Sequence, residues 1–346
     1  EFPSAGLLQI AVEKSAAGAG MQLVVQSNLP VSAGRRLIGS CYWDPVVQSV
    51  SAVHSITENL RGAANIDCAA GRLTLMVGNP TPTSDINSAD TLYYVPYGGN
   101  RISLYRSESG WETVQFSVLS VPLSGLDASC CYDAWLHLYG SGLPRLTLSP
   151  WVDLTTRMTP TQWLDGVLVS AENPAYRYLG TIGLTANGVT KDTVTDRMVW
   201  NLNHPLHRPL RKLCAVTQNT NAVSGAWVPY AQDANLAVRV VTGLNSAEVE
   251  LNGLGVVTAM TANSSMLGIG IDINLSEPLM NVNGADLSAP VYKPGALSTR
   301  LQNRVANRML GLHSFHLITY TVNDSHTFGG TAIPQSSVGL SGWVAG

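Results

Sequence analysis

A chain of 346 residues with 12% charged and 45% apolar side chains and a net charge of −3 is long enough for two or three domains, but poor in the charge that usually solvates them. Its 20 Lys and Arg are scattered, which excludes the basic footprint of a nucleic-acid binder, and no apolar run approaches the ~18 residues of a membrane-spanning helix. The charge deficit has two readings: a monomer solvated by hydroxyls and amides, or, the favoured one, a surface partly covered by other subunits.

The opening Glu1-Phe2, with no methionine ahead of it, reads as a cloned or cut end, and no signal-peptide pattern follows. Beyond the Gly/Ala-rich Ser15–Gly20, short alternating or continuous apolar runs recur every eight to twelve residues. They include MQLVVQSNLPV from Met21, GRLTLMVGNP from Gly71, TLYYVPY from Thr91 and RISLY from Arg101. ETVQFSVLSVPL from Glu112, AWLHLYG from Ala134 and PRLTLSPWVDL from Pro144 continue the series. Gly, Asn and Pro bound each run, which predicts an all-β chain of sandwich or jelly-roll-like domains. One or two short helices are expected, over Asp192–Leu206 (stopped before Pro205) and over Ser298–Leu312, where Leu301, Val305 and Leu310 approach one face. The second stretch also reads as a loop crossing the sheet.

Three parts follow: a strand-rich segment 1–70, a central β domain 71–215, and a C-terminal β domain 216–346 opened by the polar TQNTNAVSG from Thr217. The basic HRPLRKL, His207–Leu213, reads as the junction between the last two rather than as a phosphate groove.

Between Asp90 and Trp111, Tyr93 and Val95 are predicted on one strand face and Leu92, Tyr94 and Pro96 on the other. Gly98-Gly99-Asn100 offers a turn, which predicts a hairpin with Arg101–Tyr105 returning and Trp111 packing on the domain's sheet. Sheet building accounts for the tyrosines; a sugar-stacking face made of Tyr93, Tyr97 or Tyr105 is the alternative.

These landmarks carry a resemblance. Arg72–Leu75, Thr91–Tyr105, Gly110-Trp111, Tyr132–Trp135 and Leu164–Val169 appear in order, followed by Tyr176–Ile182, Arg197–Asn203 and Arg208–Arg211. With Gly311–His316 and Gly339–Gly342, they resemble a virion-protein module of tailed phages and prophages, over about 275 residues. Gly99 departs from it, a basic residue being usual there, and nothing in the first 70 residues matches. The resemblance implies a place, the phage particle, assembled in the cytoplasm of a bacterial host. Tail fibre, spike, receptor-binding protein and capsid decoration all fit it.

Five cysteines, Cys41, Cys68, Cys130, Cys131 and Cys214, with two adjacent and no zinc spacing, read as reduced buried thiols rather than a disulfide framework. Asp127, Asp133, Asp153 and Asp165 stand apart and read as turn or strand-end acceptors, not a hydrolytic pair. No nucleophile elbow or Ser/His/Asp set stands out. His313 and His316, three apart on a strand, point to opposite faces, while His204 and His207 flank Pro205 in a loop. No metal, cofactor or catalytic residue is therefore assigned. The expected function is that of a non-enzymatic exterior virion protein, acting by multivalent adhesion and assembly. Its expected partners are copies of itself, as a homotrimer, other virion proteins and a host surface glycan. An architectural decoration protein and a carbohydrate-degrading virion enzyme are the alternatives. Two C-terminal receptor loops are predicted, Leu244–Gly255 and Thr321–Ser337, the second through Asn323, Asp324, His326 and Phe328, which together offer acceptors, donors and an aromatic face.

Overall fold

The computed structural model describes the backbone of residues 6–14, 21–26, 35–44, 49–54 and 68–346, except 141, 216–217, 222–226, 259–264, 274–296, 306–308, 322–325 and 330–337. Side chains are described for 68–140, 142–215, 227–255, 267–273, 309–320 and 338–346. The chain forms two compact units, Glu1–Asn65 and Ile66–Gly346. In the first, four antiparallel strands are ordered Met21–Gln26, Gly6–Lys14, Arg35–Asp44 and Ser49–His54. The central and C-terminal parts read from the sequence, 71–215 and 216–346, share sheets within the second unit. His207–Leu213 pairs with Gly339–Ala345, and Asp196–Arg197 pairs, in parallel, with Ala237–Thr242.

The second unit is all-β and sandwich-like, built of several packed, almost wholly antiparallel sheets. Gly71–Thr74, Thr91–Pro96 and Leu119–Pro122 form one sheet, and Arg101–Arg106 with Gly110–Gln115 form a two-stranded ribbon. A six-stranded sheet runs Leu143–Pro150, Tyr132–Tyr139, Arg177–Ile182, Val167–Ser170 and Thr161–Leu164, with Val199–Asn201 also pairing to Arg177–Ile182. One core joins Leu73, Leu92, Tyr94, Ile102 and Leu104 from the small sheets to Ala134, Leu136, Leu146, Leu179 and Ile182 from the large one. A second core gathers Val238, Val240, Val249, Leu251, Ile269, Phe315, Leu317 and Leu340. Each buried aliphatic or aromatic side chain contributes about 1.5–3 kcal/mol of transfer free energy, so these two clusters hold the unit together.

Three expectations are corrected. Thr91–Pro96 and Arg101–Arg106 are not a hairpin. The segment from Cys68 to Thr74 runs between them, with Gly71 opposite Pro96 and Ala69 bridged to Ile102, so it takes up the edge each would offer the other. The two short helices are absent among the described residues, where a 3-10 turn at Tyr230–Gln232 is the one helical element. Asp192–Leu206 instead holds strands ending at Asp192 and spanning Asp196–Arg197 and Val199–Asn201, joined by a turn in which Thr193 and Asp196 exchange backbone bonds. Its β-branched Thr193, Val194, Thr195 and Val199 disfavour a helix. Leu297–Val305 is a strand because nine residue pairs with Val249–Thr258 outweigh its helical spacing. Trp111 packs edge-on against Tyr105 of its own ribbon, at 5.5 Å between centroids, and its Nε1 donates to Asp165 at 3.0 Å. It is half-buried and outside the main core.

Candidate functional site

Strand Tyr132–Tyr139 is buried from Tyr132 through His137, on both faces. One face meets the core through Tyr132, Ala134 and Leu136; the other carries Asp133, Trp135 and His137. That second, polar face continues sideways onto Thr147 and Ser149, the cross-strand partners of Trp135 and Asp133, and onto Tyr178 and Thr181. Burying a polar face costs least where its groups are satisfied. The segment 151–160 supplies Arg157 to Asp133, while His137 Nε2, Thr147 Oγ1 and Trp151 Nε1 are buried without a hydrogen-bond partner. Asp153 Oδ1 accepts the backbone N–H groups of Thr155 (2.7 Å) and Thr156 (2.6 Å), folding the segment back on itself. These backbone bonds hold the Asp153 carboxyl below the usual carboxylate range.

The fold-back aims Arg157 at Asp133. Arg157 Nε donates to Asp133 Oδ2 at 2.7 Å and Nη2 to Oδ1 at 3.1 Å. The same Nη2 donates to Tyr178 Oη at 3.2 Å and to the Gly243 carbonyl at 2.8 Å. Thr181 Oγ1 donates to Asp133 Oδ1 at 2.8 Å. The guanidinium lies 4.9 Å from the Trp151 ring centroid and 5.1 Å from that of Tyr178, sandwiching the cation between aromatic rings. Burial pushes the Asp133 carboxyl up, and the Arg157 and Thr181 donors pull it back toward the ionised form. Asp133 and Arg157 thus form a buried, multiply hydrogen-bonded clamp between the strand and the segment 151–160.

Beside the clamp, the same face opens into a groove of about 330 Å³ lined by Trp135, Thr147, Ser149, Thr159, Glu172 and Tyr176, with Leu148, Ser170 and Asn173 completing it. Thr159 comes from the clamped segment. Glu172, Asn173 and Tyr176 come from the turn joining strands Val167–Ser170 and Arg177–Ile182. Asn173 and Pro174 shape that turn: Asn173 Oδ1 accepts the Ala175 N–H at 3.1 Å, and its carbonyl accepts the Tyr176 N–H at 3.0 Å. The turn is tied down when Ser170 N–H donates to the Tyr176 carbonyl (3.0 Å) and Ala171 N–H to the Pro160 carbonyl (2.9 Å). Trp135 Nε1 donates to Ser149 Oγ at 2.7 Å, fixing the floor. Tyr176 stacks on His137 at 4.2 Å between centroids, and burial lowers the His137 pKa, so the ring behind the groove favours its neutral form.

The four carboxylates weighed from the sequence are not brought together. Asp127 accepts from the Ser129 backbone, Asp153 closes its own turn, and Asp165, at φ 49°, sits in a turn and accepts from Trp111. Asp133 departs from a plain turn or strand-end role, since it forms the buried ion pair. The histidines separate likewise. His204 Nε2 pairs with the Ala69 carbonyl, His207 stacks on Trp343, His313 Nδ1 meets Asp272, and His316 is buried. No cluster of three His, Cys, Asp or Glu side chains capable of holding a metal occurs among the described residues. The basic HRPLRKL is a strand whose Arg208 pairs with Asp192 at 2.7 Å, and Asp192 also meets Arg197. The thiols of Cys68, Cys130 and Cys131 form no disulfide among the described residues.

Of the second predicted receptor loop, Asn323 and Asp324 lie outside the described residues. His326 and Phe328 fall on strand His326–Gly329, opposite Asn221 and Asn219, with side chains likewise outside. Of the tyrosines weighed as a sugar face, Tyr97 packs against His204 and beneath Arg72, and Tyr105 against Trp111. The groove was not read from the sequence, because its lining comes from four separated segments. The local signal was Asn173-Pro174, a turn-forming pair flanked by Glu172 and Tyr176 between two apolar strands.

No family model matches the chain, and no curated protein does. Among solved structures, the insecticidal delta-endotoxin Cry8Ea1 from Bacillus thuringiensis aligns with 99% of this chain at 7% identity and a TM-score of 0.17. The chain spans about half of that toxin, 53%. A likeness this weak carries no argument about fold or function.

Proposed function

We propose that this chain is a non-enzymatic exterior structural protein of a tailed-phage virion, a fibre, spike or receptor-binding component. In this reading it assembles as a homo-oligomer, a trimer by preference, contacts other virion proteins and attaches to a host surface glycan through several weak contacts at once. The observation that carries the reading is where the ordered landmarks lie. Leu73, Tyr94, Ile102, Leu104, Trp135, Tyr178 and Trp200, all within stretches resembling the virion module, belong to one buried core. The resemblance therefore falls on residues that set the fold.

Two further observations support assembly and attachment. The edge strands of the six-stranded sheet carry exposed apolar side chains, Leu143 opposite Tyr139 at one edge and Trp163 at the other, of the kind a neighbouring subunit covers. The groove supplies a polar concavity on a rigid sheet, and copies acting together gain avidity that a single weak site lacks. Among the residues lining the groove Glu172 is the one carboxylate, whereas glycoside hydrolysis by the usual route needs a pair.

Immunogold imaging of particles carrying the protein tests this reading. Label on the tail or its fibres is expected. Label confined to the head would replace it with capsid decoration, and particles without label would remove the virion assignment.

A further inference from the structure

We propose that the groove beside the Asp133–Arg157 clamp is a binding site for one neutral, hydroxyl-rich sugar ring. The inference deepens the attachment reading and rests on it for its biological setting, but the site can be tested without the particle.

On the clamp side of the face, both Asp133 carboxylate oxygens, Arg157 Nε and Nη2, and the Thr181 hydroxyl are engaged within the protein. On the groove side the reverse holds. The Thr147 hydroxyl is buried without a hydrogen-bond partner. The Glu172 carboxylate is exposed, and Thr159 and Tyr176 are half-buried, so their polar groups are accessible from the groove. Ser149 Oγ accepts from Trp135, leaving its own O–H free to donate into the groove. Asn173 spends its Oδ1 on Ala175 and keeps its two amide donors. Alternating donors and acceptors around one concavity match a ring whose every hydroxyl is both donor and acceptor.

Shape and charge narrow the class. A volume near 330 Å³ lies at the low end of the roughly 300–1,000 Å³ of ligand sites, so it suits one ring rather than a chain laid lengthwise. The half-buried Tyr176 supplies aromatic surface, whose negative π face attracts the weakly positive C–H edge of a pyranose, above a floor set by the buried Trp135. The His137 stack holds the Tyr176 ring in place. No Lys or Arg lines the groove, and Glu172 repels anions, which disfavours phosphates, sulfated sugars, uronic acids and sialic acids. A carboxylate accepting from two adjacent hydroxyls is the arrangement that remains. The clamp matters here as positioning: it fixes the segment that brings Thr159 to the wall, and so sets the groove's width.

Calorimetric titration of the full protein with the methyl glycosides of glucose, galactose, mannose and N-acetylglucosamine, with glucuronate as anionic control, tests the site. At least one neutral glycoside is expected to bind with millimolar affinity and glucuronate at least tenfold more weakly. Glu172→Gln should weaken that glycoside at least fivefold, and Glu172→Lys or Tyr176→Ala should abolish binding, with the melting temperature of Glu172→Lys unchanged. Glu108→Gln, on the exposed turn between Arg101–Arg106 and Gly110–Gln115, should bind as the parent does. No neutral binding by the parent, or binding untouched by both Glu172 variants, overturns the inference. The two readings fail separately. If Glu172→Lys loses glycoside binding while virion attachment is unaffected, the sugar site stands and its role in attachment falls. If the protein attaches to host glycan equally well with Glu172→Lys, attachment stands and this groove is not its site.

Discussion

Replacing Arg157 with Ala should be among the most damaging single changes outside the apolar core. The substitution removes both bonds to Asp133, the bond to Tyr178 and the bond to the Gly243 carbonyl. It leaves a carboxylate with no side-chain exposure and only Thr181 as donor. Truncating one partner of a buried pair costs about 3–5 kcal/mol, most of it from the stranded charge. At roughly 2–3 °C per kcal/mol for a unit of this size, the melting temperature should fall by about 6–15 °C. Replacing both partners with apolar side chains, Asp133→Leu with Arg157→Met, strands no charge and should recover at least half of the loss. Calorimetry on the parent, the single and the double variants provides the comparison. A loss below about 1 kcal/mol for Arg157→Ala, the range of exposed pairs, would refute the buried-clamp reasoning. So would a double variant as unstable as the single.

Acid should destabilise the protein in two stages. Burial lowers the pKa of His137 and of His316, so the folded state binds fewer protons than the unfolded one and stability falls as pH drops below about 6.5. For Asp196, burial pushes the carboxyl up, but Lys191, Thr195 and Arg239 outweigh it and hold it below its ordinary value. Its contribution is therefore complete above about pH 4 and lost as pH falls through the folded value; melting curves from pH 8 to 3 should show both stages, and Asp196→Asn should flatten the second. Trp111→Ala should cost about 2 kcal/mol, one hydrogen bond and one aromatic pair, rather than the ~3–5 kcal/mol of a core tryptophan, as urea unfolding would measure. Burial pushes the Cys131 thiol up to about 12, so native protein at pH 8 should leave Cys131 unalkylated by iodoacetamide until denatured, as peptide mass analysis would reveal.

Period-2 runs and turn residues announced most strands of the second unit, because alternation and Gly, Asn and Pro breaks are local consequences of a sheet's geometry. Pairing is not local. Thr91–Pro96 and Arg101–Arg106 have hairpin spacing, yet the strand between them comes from upstream, and nothing within the stretch encodes that intrusion. Close packing also overrode propensity. A Cβ on Gly180 would meet the Trp200 carbonyl at 2.0 Å and Leu73 Cδ1 at 2.9 Å, so this glycine is set by the neighbouring strand rather than by its own. The carboxylates were visible as residues, but the role of Asp133 depends on Arg157, 24 positions away across a fold-back that Asp153 closes. The groove was hidden for the same reason. Trp135, Ser149, Thr159 and Glu172 converge only once three strands, the clamped segment and the Asn173 turn are in place.

Retention of the purified assembly on immobilised neutral polysaccharide from the host envelope, with the parent run beside Glu172→Lys, tests attachment through the groove most directly. The account predicts slow release of the parent, because several groove contacts engage at once, and no retention of a Glu172→Lys protein that melts and assembles as the parent does. Equal retention of the two proteins, or failure of a folded, assembled parent to be retained, would contradict it.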